Sequence, residues 1–200
     1  MNFWDQQFSV EGFKYGTAPN AFLSSQAHRL QPNSVVLVPG DGEGRNGVWL
    51  AEQGHRVTAV DNAQVGLAKA QALAAQRGVD LTTVHADLAD WQPTPNSVDA
   101  VVLVYLHLPP ALRARVHANL LQALRPGGWW LLEAFHPAQL AHRSGGPKDE
   151  AMLYTPELLA QDLGDEWGLR GCWSTETDLD EGPGHQGLAH VTRWVGQKRV

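Results

Sequence analysis

The stretch that decides the fold is VLVPGDGEGRN, residues 36–46 of a 200-residue chain. Its apolar, β-branched first part predicts a buried strand over 34–38, and its last part leads into a predicted short helix over 46–53 that Gly54 ends. Between them, glycine stands at every second position from 40 to 44. A loop of this kind turns sharply and lets a ligand come close to the backbone amides and to the start of the helix. The stretch therefore predicts a strand, a ligand-binding loop and a helix in succession.

The alternation of strand and helix continues on the carboxyl side of this loop. Asn62 is the predicted N-cap of a helix that Gly78 ends, and a four-residue apolar repeat from Leu112 to Leu124 predicts another helix. Strands separated by helices indicate a parallel sheet with right-handed crossovers, and near-continuous apolar strands indicate a sheet covered on both faces. The further predicted strands are 56–60, 81–84, 98–104 and 129–135.

The last part of the chain predicts a helix and a hairpin. Thr155 and Pro156 are of the types found at the N-cap and the first position of a helix, which we expect to run to about Leu163. Two candidate strands follow, over 169–178 and 187–197. The residues EGPG at 181–184, between these two candidate strands, cannot continue a strand, so we interpret the two strands as an antiparallel hairpin.

Two aspartates follow predicted strands close to the glycine loop. Asp61 ends the second strand, 17 residues beyond Gly44, and a carboxylate there can accept hydrogen bonds from two ribose hydroxyls. Asp87 follows the third strand, where it can hold an adenine amino group. The pattern therefore indicates a bound adenosine.

The loop itself narrows the identity of this ligand. A dinucleotide-binding loop has a further glycine three residues after its second one, and this chain has Arg45 at that place. The carboxylates of Asp41 and Glu43 would repel a pyrophosphate unless they face away. A ligand with an ammonium and a sulfonium tolerates these charges, and its carboxylate can meet the start of the helix. S-adenosylmethionine has these groups.

In these features the chain resembles the class I S-adenosylmethionine-dependent methyltransferases. GDGEG at 40–44 is similar to the glycine motif of that family, which contacts the methionine portion of the cofactor. Asp61 resembles the family's ribose-binding acid, and Asp87 with Leu88 resembles its adenine-binding pair. The chain departs from the family at Val38, where members often have an acid, so the ammonium must find its counter-charge or a carbonyl elsewhere.

The resemblance covers at least residues 34–136 and, with the hairpin, nearly the whole chain. DAVVLV at 99–104 resembles the family's fourth strand, and LRPGG at 124–128 resembles the turn before its fifth. The implied fold is α/β: a Rossmann-like, seven-stranded, mostly parallel sheet in the order 3-2-1-4-5-7-6, with strand 7 antiparallel and helices on both faces.

A narrower resemblance, to the tellurite-resistance and thiopurine-type branch of that family, rests on four short segments. They are Trp4-Asp5, YGTAPNAFL at 15–23, Gly44-Arg45-Asn46 and EGPGHQG at 181–187. Members of that branch methylate small soft nucleophiles such as thiols and chalcogen oxyanions. The resemblance therefore implies a small-molecule acceptor of this kind.

The resemblance and the ends of the predicted strands give a set of expected site residues. For Arg45 two roles stay open, with the carboxylate of the cofactor or with an anionic acceptor. The residues expected to contact S-adenosylmethionine are Gly40, Asp41, Gly42, Gly44, Arg45, Asp61, Asn62, Asp87, Leu88 and Val104.

Two catalytic candidates, Tyr15 and His107, complete the set. Residues 1–30 hold six of the sixteen aromatic residues, and we expect them to fold over the cofactor as a lid in which Tyr15 or Trp4 faces the sulfonium. The alternative is a hydrophobic flap that packs on the helices. His107 follows the fourth strand, where it can orient or deprotonate an acceptor or merely cap the next helix.

Composition limits the classes of function. A net charge of −6 argues against nucleic-acid binding, and the single Cys172 leaves no internal disulfide. No apolar run reaches the ~18 residues of a membrane span. The histidines lack the spacing of a helical metal pair. We expect one cytoplasmic methyltransferase domain over 1–200, a monomer or homodimer without a nucleic-acid, membrane or metal partner. Two alternatives stay open: a nicotinamide-dependent oxidoreductase and a non-catalytic nucleotide-binding module.

Overall fold

The computed structural model describes residues 2–200, except the side chain of Leu169, so Met1 of the predicted lid segment lies outside the described residues. One sheet has the strand order β3-β2-β1-β4-β5-β7-β6. β7 runs antiparallel to both of its neighbours, and the other pairs are parallel. The predicted order and the antiparallel seventh strand are confirmed. The strands are β1 Val35–Pro39, β2 Arg56–Asp61, β3 Thr82–His85, β4 Val98–Val104, β5 Leu124–Phe135, β6 Trp167–Asp180 and β7 Gln186–Lys198.

Helices cover both faces of this sheet, as the sequence predicts. Because successive side chains of a strand point to opposite faces, β1 sends Leu37 into one core, shared with α5 and α6. It sends Val36 and Val38 into the other, shared with α2 and α3. The helices are α1 Phe3–Phe8, α2 Ala21–Gln26, α3 Arg45–Glu52, α4 Gln64–Arg77, α5 Pro110–Ala123 and α6 Pro156–Leu163. Within residues 2–200 the longest of them have 14 residues, and none has the length and apolar character needed to cross a bilayer.

The helix ends follow local chemistry with one exception. The hydroxyl of Thr155 accepts a hydrogen bond from the amide of Leu158, so the predicted cap of α6 is confirmed. Gly78 ends α4 in the left-handed conformation, also as predicted. The prediction of Asn62 as the N-cap of α4 is wrong: the helix begins after Ala63 without a side-chain cap.

The glycine loop lies where the strand order reverses. The sheet continues from β1 to β2 and β3 on one side and to β4 and β5 on the other, so β1 is the central parallel strand. The carboxyl ends of these strands lie at one edge, and the crevice outside such a reversal is the usual ligand site of an open α/β sheet. The loop, the end of β2 at Asp61 and the end of β4 at Val104 therefore face a common space.

Candidate active site

A cavity of about 520 Å³ occupies that space, between the glycine loop, the strand ends, the amino-terminal segment and the tip of the β6–β7 hairpin. Its size is within the range of small-molecule sites. Most of the residues predicted to form the site lie on its wall. They are Tyr15, Gly40, Asp41, Gly42, Arg45, Asp61, Asn62, Asp87, Leu88, Val104 and His107. That each of them contacts a cofactor or acceptor stays a prediction.

Gly44, which was also predicted to contact the cofactor, does not line the cavity. It is the N-cap of α3 and has a φ of 87°. A Cβ atom at this position would lie 2.5 Å from the Cβ of Ala70 on α4, which is closer than van der Waals contact allows. Glycine is therefore required here so that α3 and α4 can pack together.

The carboxylate of Asp61 holds the glycine loop through a hydrogen bond to its backbone. Its Oδ2 accepts a hydrogen bond from the amide of Gly42 at 2.9 Å, and its Oδ1 accepts one from the amide of Ala63 at 2.8 Å. Burial raises the pKa of Asp61, against the effect of these amide bonds. Each oxygen keeps a lone pair, so the carboxylate can accept further hydrogen bonds from a ligand in the cavity.

Both acidic residues of the loop, Asp41 and Glu43, form hydrogen bonds or ion pairs with other groups of the protein. Asp41 accepts a hydrogen bond from the amide of Gly47, in the first turn of α3, at 3.0 Å, where the helix dipole favours negative charge. Burial nevertheless raises the pKa of Asp41 to about 8. Glu43 pairs with Lys69 at 2.8 Å and accepts the amide of Lys14 at 2.7 Å. Glu43 thus presents no unpaired charge to a ligand.

The amino-terminal segment covers the loop. The ring of Phe8 lies directly over Gly42, since a Cβ atom on that glycine would be 2.8 Å from Cζ of the ring. Trp4 stacks on Phe8 with their centroids 5.5 Å apart, and the carboxylate of Asp5 accepts a hydrogen bond from the amide of Val65 at the start of α4. The rings of Phe8 and Trp4 thus lie over the loop and on the cavity wall, and the role of the segment as a lid over a cofactor stays a prediction.

A buried polar network, which sequence reasoning missed, holds this segment to the body of the protein. Asn20 is 1% exposed. Its side-chain amide donates to Glu133 at 2.7 Å and to Glu181 at 2.8 Å, and its backbone amide donates to the side chain of Asn46 at 2.9 Å. One asparagine thus links the amino-terminal segment to α3, to β5 and to the hairpin tip. No local pattern around position 20 or 133 signals these contacts.

Glu181 lies inside this network and pairs with Arg45. The carboxylate is 2.8 Å from the guanidinium, and both side chains are less than a tenth exposed. Although burial acts to raise the pKa of Glu181, His185 and Arg45 lower it to about 2. Nη2 of Arg45 belongs to this ion pair, whereas Nη1 is buried without a hydrogen-bond partner among the described residues. The two predicted roles of Arg45, with the cofactor or with an anionic acceptor, stay predictions.

His107 lies on the cavity wall but is not free to act as a base. Its Nδ1 is 2.7 Å from the carbonyl oxygen of Met152, and its Nε2 accepts a hydrogen bond from the amide of Phe135 at 3.2 Å. Burial lowers the pKa of His107 to about 4. Since the backbone uses both ring nitrogens, the geometry contradicts the prediction that this histidine deprotonates an acceptor and gives it a positioning role.

Tyr105 stands at the end of β4 in a strained conformation. Its φ of 53° is in the left-handed region that few residues other than glycine adopt. Its hydroxyl donates to Glu133 at 2.8 Å, and its ring stacks on Phe135 with centroids 4.6 Å apart. Strain of this kind is concentrated at functional sites, and Tyr105 does line the cavity.

Comparison with known proteins agrees with this geometry. Residues 36–128 match a family model described as a methyltransferase domain. Over these residues the chain is similar to a methyltransferase domain. The match begins in β1 and includes the glycine loop, Asp61 and Asp87.

Three individual proteins are similar to this chain, one of them a curated protein and two of them solved structures. A 2-heptyl-1-hydroxyquinolin-4(1H)-one methyltransferase of Mycobacteroides abscessus is 26% identical over 115 residues, which are 56% of this chain and 51% of that protein. The match thus spans about half the length of that curated relative.

The other two relatives are solved structures. TehB from Haemophilus influenzae has a TM-score of 0.70 at 17% identity, over 98% of this chain and 66% of that one. The N-methyltransferase NodS from Bradyrhizobium japonicum WM9, in complex with S-adenosyl-L-homocysteine, has a TM-score of 0.69 at 12% identity, over 98% and 96%. At such identities these two likenesses concern the fold alone.

Proposed function

We propose that this chain transfers the methyl group of S-adenosylmethionine to a small-molecule acceptor. The observation that carries the proposal is the position of Asp61, whose carboxylate lies on the cavity wall while it binds the amide of Gly42. A carboxylate in that place can accept the hydroxyls of a ribose. The match of residues 36–128 to a methyltransferase domain favours this reaction over the oxidoreductase and the non-catalytic module.

The residues of the cavity fit S-adenosylmethionine. Asp61 would hold the ribose, Asp87 and Leu88 the adenine, and the backbone of Gly40 and Gly42 the methionine portion. Bound there, S-adenosylmethionine supplies a methyl group that its sulfonium already activates. The chain's own residues then have to align the acceptor and exclude water, and the rings of the amino-terminal segment cover the loop in a way that suits this task.

We further propose that the acceptor is a soft nucleophile, a thiol or a chalcogen oxyanion. Three of the segments that resemble the tellurite-resistance and thiopurine-type branch, far apart in sequence, are in contact through Asn20, Arg45 and Glu181. The wall beyond the glycine loop is aromatic, with Tyr15, Tyr105 and Phe135. Such a wall offers polarisable surface and a dry environment to a sulfur or selenium nucleophile.

Calorimetric titration of the purified protein tests the cofactor. We expect S-adenosylhomocysteine to bind with one site per chain and a reduced nicotinamide dinucleotide not to bind. The opposite result would overturn the methyltransferase proposal and favour the oxidoreductase.

An acceptor panel tests the second part of the proposal. Thiols, selenite, tellurite and thiopurines are incubated with S-adenosylmethionine, and S-adenosylhomocysteine is measured as product. We expect turnover on at least one soft nucleophile. The panel includes a hydroxyquinolone and a primary amine as oxygen and nitrogen acceptors, because the names of two relatives include a hydroxyquinolone methyltransferase and an N-methyltransferase. Turnover on these alone would contradict the soft acceptor and leave the cofactor assignment intact.

A further inference from the structure

We propose that His185, at the tip of the β6–β7 hairpin, is the base that takes the proton from the methyl acceptor. The proposal rests on the proposed function and names the residue that prepares a protonated acceptor, such as an alkyl thiol, for the reaction. His185 lies on the cavity wall and is 5% exposed. Sequence reasoning assigned it no role.

Aromatic rings from three parts of the chain fix the imidazole of His185. The ring of Tyr15, in the amino-terminal segment, lies 4.4 Å from it, that of Tyr105 at the end of β4 lies 4.5 Å from it, and that of Phe135 at the end of β5 lies 5.2 Å from it, each between centroids. Gly145 packs against the Cδ2–Nε2 edge of the imidazole, where a Cβ atom would lie 2.4 Å from Cδ2. The imidazole is therefore held in one orientation beside the cavity.

The carboxylate of Glu181 distinguishes the two nitrogens of this ring. Nδ1 of His185 is buried and lies 3.6 Å from Oε2 of Glu181. The carboxylate is itself held by Arg45 and Asn20. A carboxylate beside Nδ1 stabilises the imidazolium that forms when Nε2 takes a proton. Nε2, which Gly145 borders on one side, is the ring nitrogen that remains for an acceptor.

Burial, together with the nearby cations Arg45 and Lys14, favours the neutral imidazole of His185 before the reaction. The groups that face it are Glu181 of the hairpin, Arg45 of α3, Lys14 and Tyr15 of the amino-terminal segment, and Tyr105 and His107 near the end of β4. Burial lowers the pKa of His185, Glu181 acts in the opposite direction, and Arg45 and Lys14 lower it further. A neutral imidazole at neutral pH is the form that can accept a proton.

The step balances as a proton transfer coupled to a displacement. Nε2 takes the proton of the acceptor, the electron pair left on the acceptor atom forms the new bond to the methyl carbon, and the electron pair of the breaking carbon–sulfur bond stays on the sulfur of S-adenosylhomocysteine. The imidazolium then releases its proton to solvent. A thiol pKa of ~8.5 lies about two units above that of an ordinary histidine, and the displacement that consumes the thiolate draws the proton transfer forward across this gap.

Two thiols of similar size test this role. 2,2,2-Trifluoroethanethiol is much more acidic than 2-mercaptoethanol and needs a base less. In the His185→Gln variant we expect kcat/KM for 2-mercaptoethanol to fall by about 100-fold or more, and the loss for the fluorinated thiol to be at least ten times smaller.

The control is His28→Gln, a histidine that is exposed and remote from the cavity. The affinity for S-adenosylhomocysteine reports that the fold and the cofactor site are intact. Equal losses on both thiols would overturn the proposal and leave His185 a purely structural side chain.

A readout that does not depend on turnover is the ¹⁵N NMR titration of the histidine side chains, with His185 assigned by its absence from the variant. We expect its midpoint to lie below that of an ordinary histidine and to coincide with the acid limb of the pH profile for 2-mercaptoethanol. An imidazolium that persists at neutral pH would overturn the proposal for any acceptor. Failure of S-adenosylhomocysteine to bind the native protein would instead overturn the proposed function.

Discussion

Arg45 at the start of α3 and Glu181 of the hairpin tip form a buried ion pair across 136 positions of sequence. The pair joins the part of the chain that would hold the cofactor to the part that carries His185. Because Asn20 also binds Glu181, the same carboxylate anchors the amino-terminal segment. The shape of the cavity therefore depends on one charge that three parts of the chain share.

Removing one partner of this pair should destabilise the fold strongly. Arg45→Met leaves the carboxylate of Glu181 buried without its cation, and we expect a loss of about 3–5 kcal/mol in the free energy of unfolding, measured by urea denaturation. The matched control is Arg77→Met, because Arg77 pairs with Glu52 at the surface and surface pairs contribute about 0–1 kcal/mol. Similar losses in the two variants would contradict the importance of the buried pair.

Asp61→Ala should weaken cofactor binding. The variant loses the proposed hydrogen bonds to the ribose and the bond that holds the amide of Gly42, so we expect the affinity for S-adenosylhomocysteine to fall by about 1.5–3 kcal/mol in calorimetric titration. Asp80→Ala, at an exposed position outside the cavity, should bind as the native protein does. Unchanged affinity in a folded Asp61→Ala variant would remove Asp61 from the site.

The buried carboxyl group of Asp41 should make the stability of the protein depend on pH. Burial raises its pKa from 3.8 to about 8, so the folded state binds more protons than the unfolded state between these values. Stability from this group is therefore present at the acid end of the window and is lost as the pH rises towards 8. The variant Asp41→Asn keeps an acceptor for the amide of Gly47 and lacks this titration.

The test is the difference in free energy of unfolding between Asp41→Asn and the native protein across that pH range. We expect the variant to gain relative stability steadily as the pH rises. The control Gln76→Asn, at an exposed position without an ionisable group, should give a difference that does not change with pH. A flat difference for Asp41→Asn as well would mean that Asp41 ionises in the folded protein as it does in the unfolded chain.

Gly182→Ala should detach the amino-terminal segment from the hairpin tip. A Cβ atom at Gly182 would lie 2.3 Å from the backbone nitrogen of Gly16, so the two backbones could no longer stay in contact. We expect faster hydrogen exchange in residues 3–20 and weaker binding of S-adenosylhomocysteine. Gly187→Ala is the matched control: its φ is also positive, but a Cβ atom there meets nothing within 4 Å. If both variants exchange alike, backbone strain and not the contact explains the effect.

The sheet and the cofactor end of the cavity could be predicted because their signals are local. Apolar runs mark β1, β2 and β4, and a glycine loop followed by acids at two strand ends is a pattern of short range. The order of the strands came from the resemblance to a family, since no run of residues states which strand lies beside which. Asn62 was misread because an asparagine before a helical run is a common cap, whereas here the helix begins one residue later, after Ala63.

The acceptor end could not be predicted, because its residues meet only through the tertiary fold. Asn20 and Glu181 are 161 positions apart. Four of the six residues from Glu176 to Glu181 are acidic, which is the composition of a solvated turn. Two histidines lie on the cavity wall, and the sequence favoured His107 because it follows a strand end. Only the hydrogen bonds of its two ring nitrogens to the backbone show why His185 is the better candidate.

The place of β7 in the sheet also affects how the protein is made. β7 follows β6 along the chain but lies between β5 and β6, so during synthesis β5 is an open edge with unsatisfied amides and carbonyls until the hairpin has left the ribosome. Open edges of this kind invite pairing with other chains. A chain whose synthesis stops before Gln186 would therefore keep β5 as an edge open to pairing with other chains.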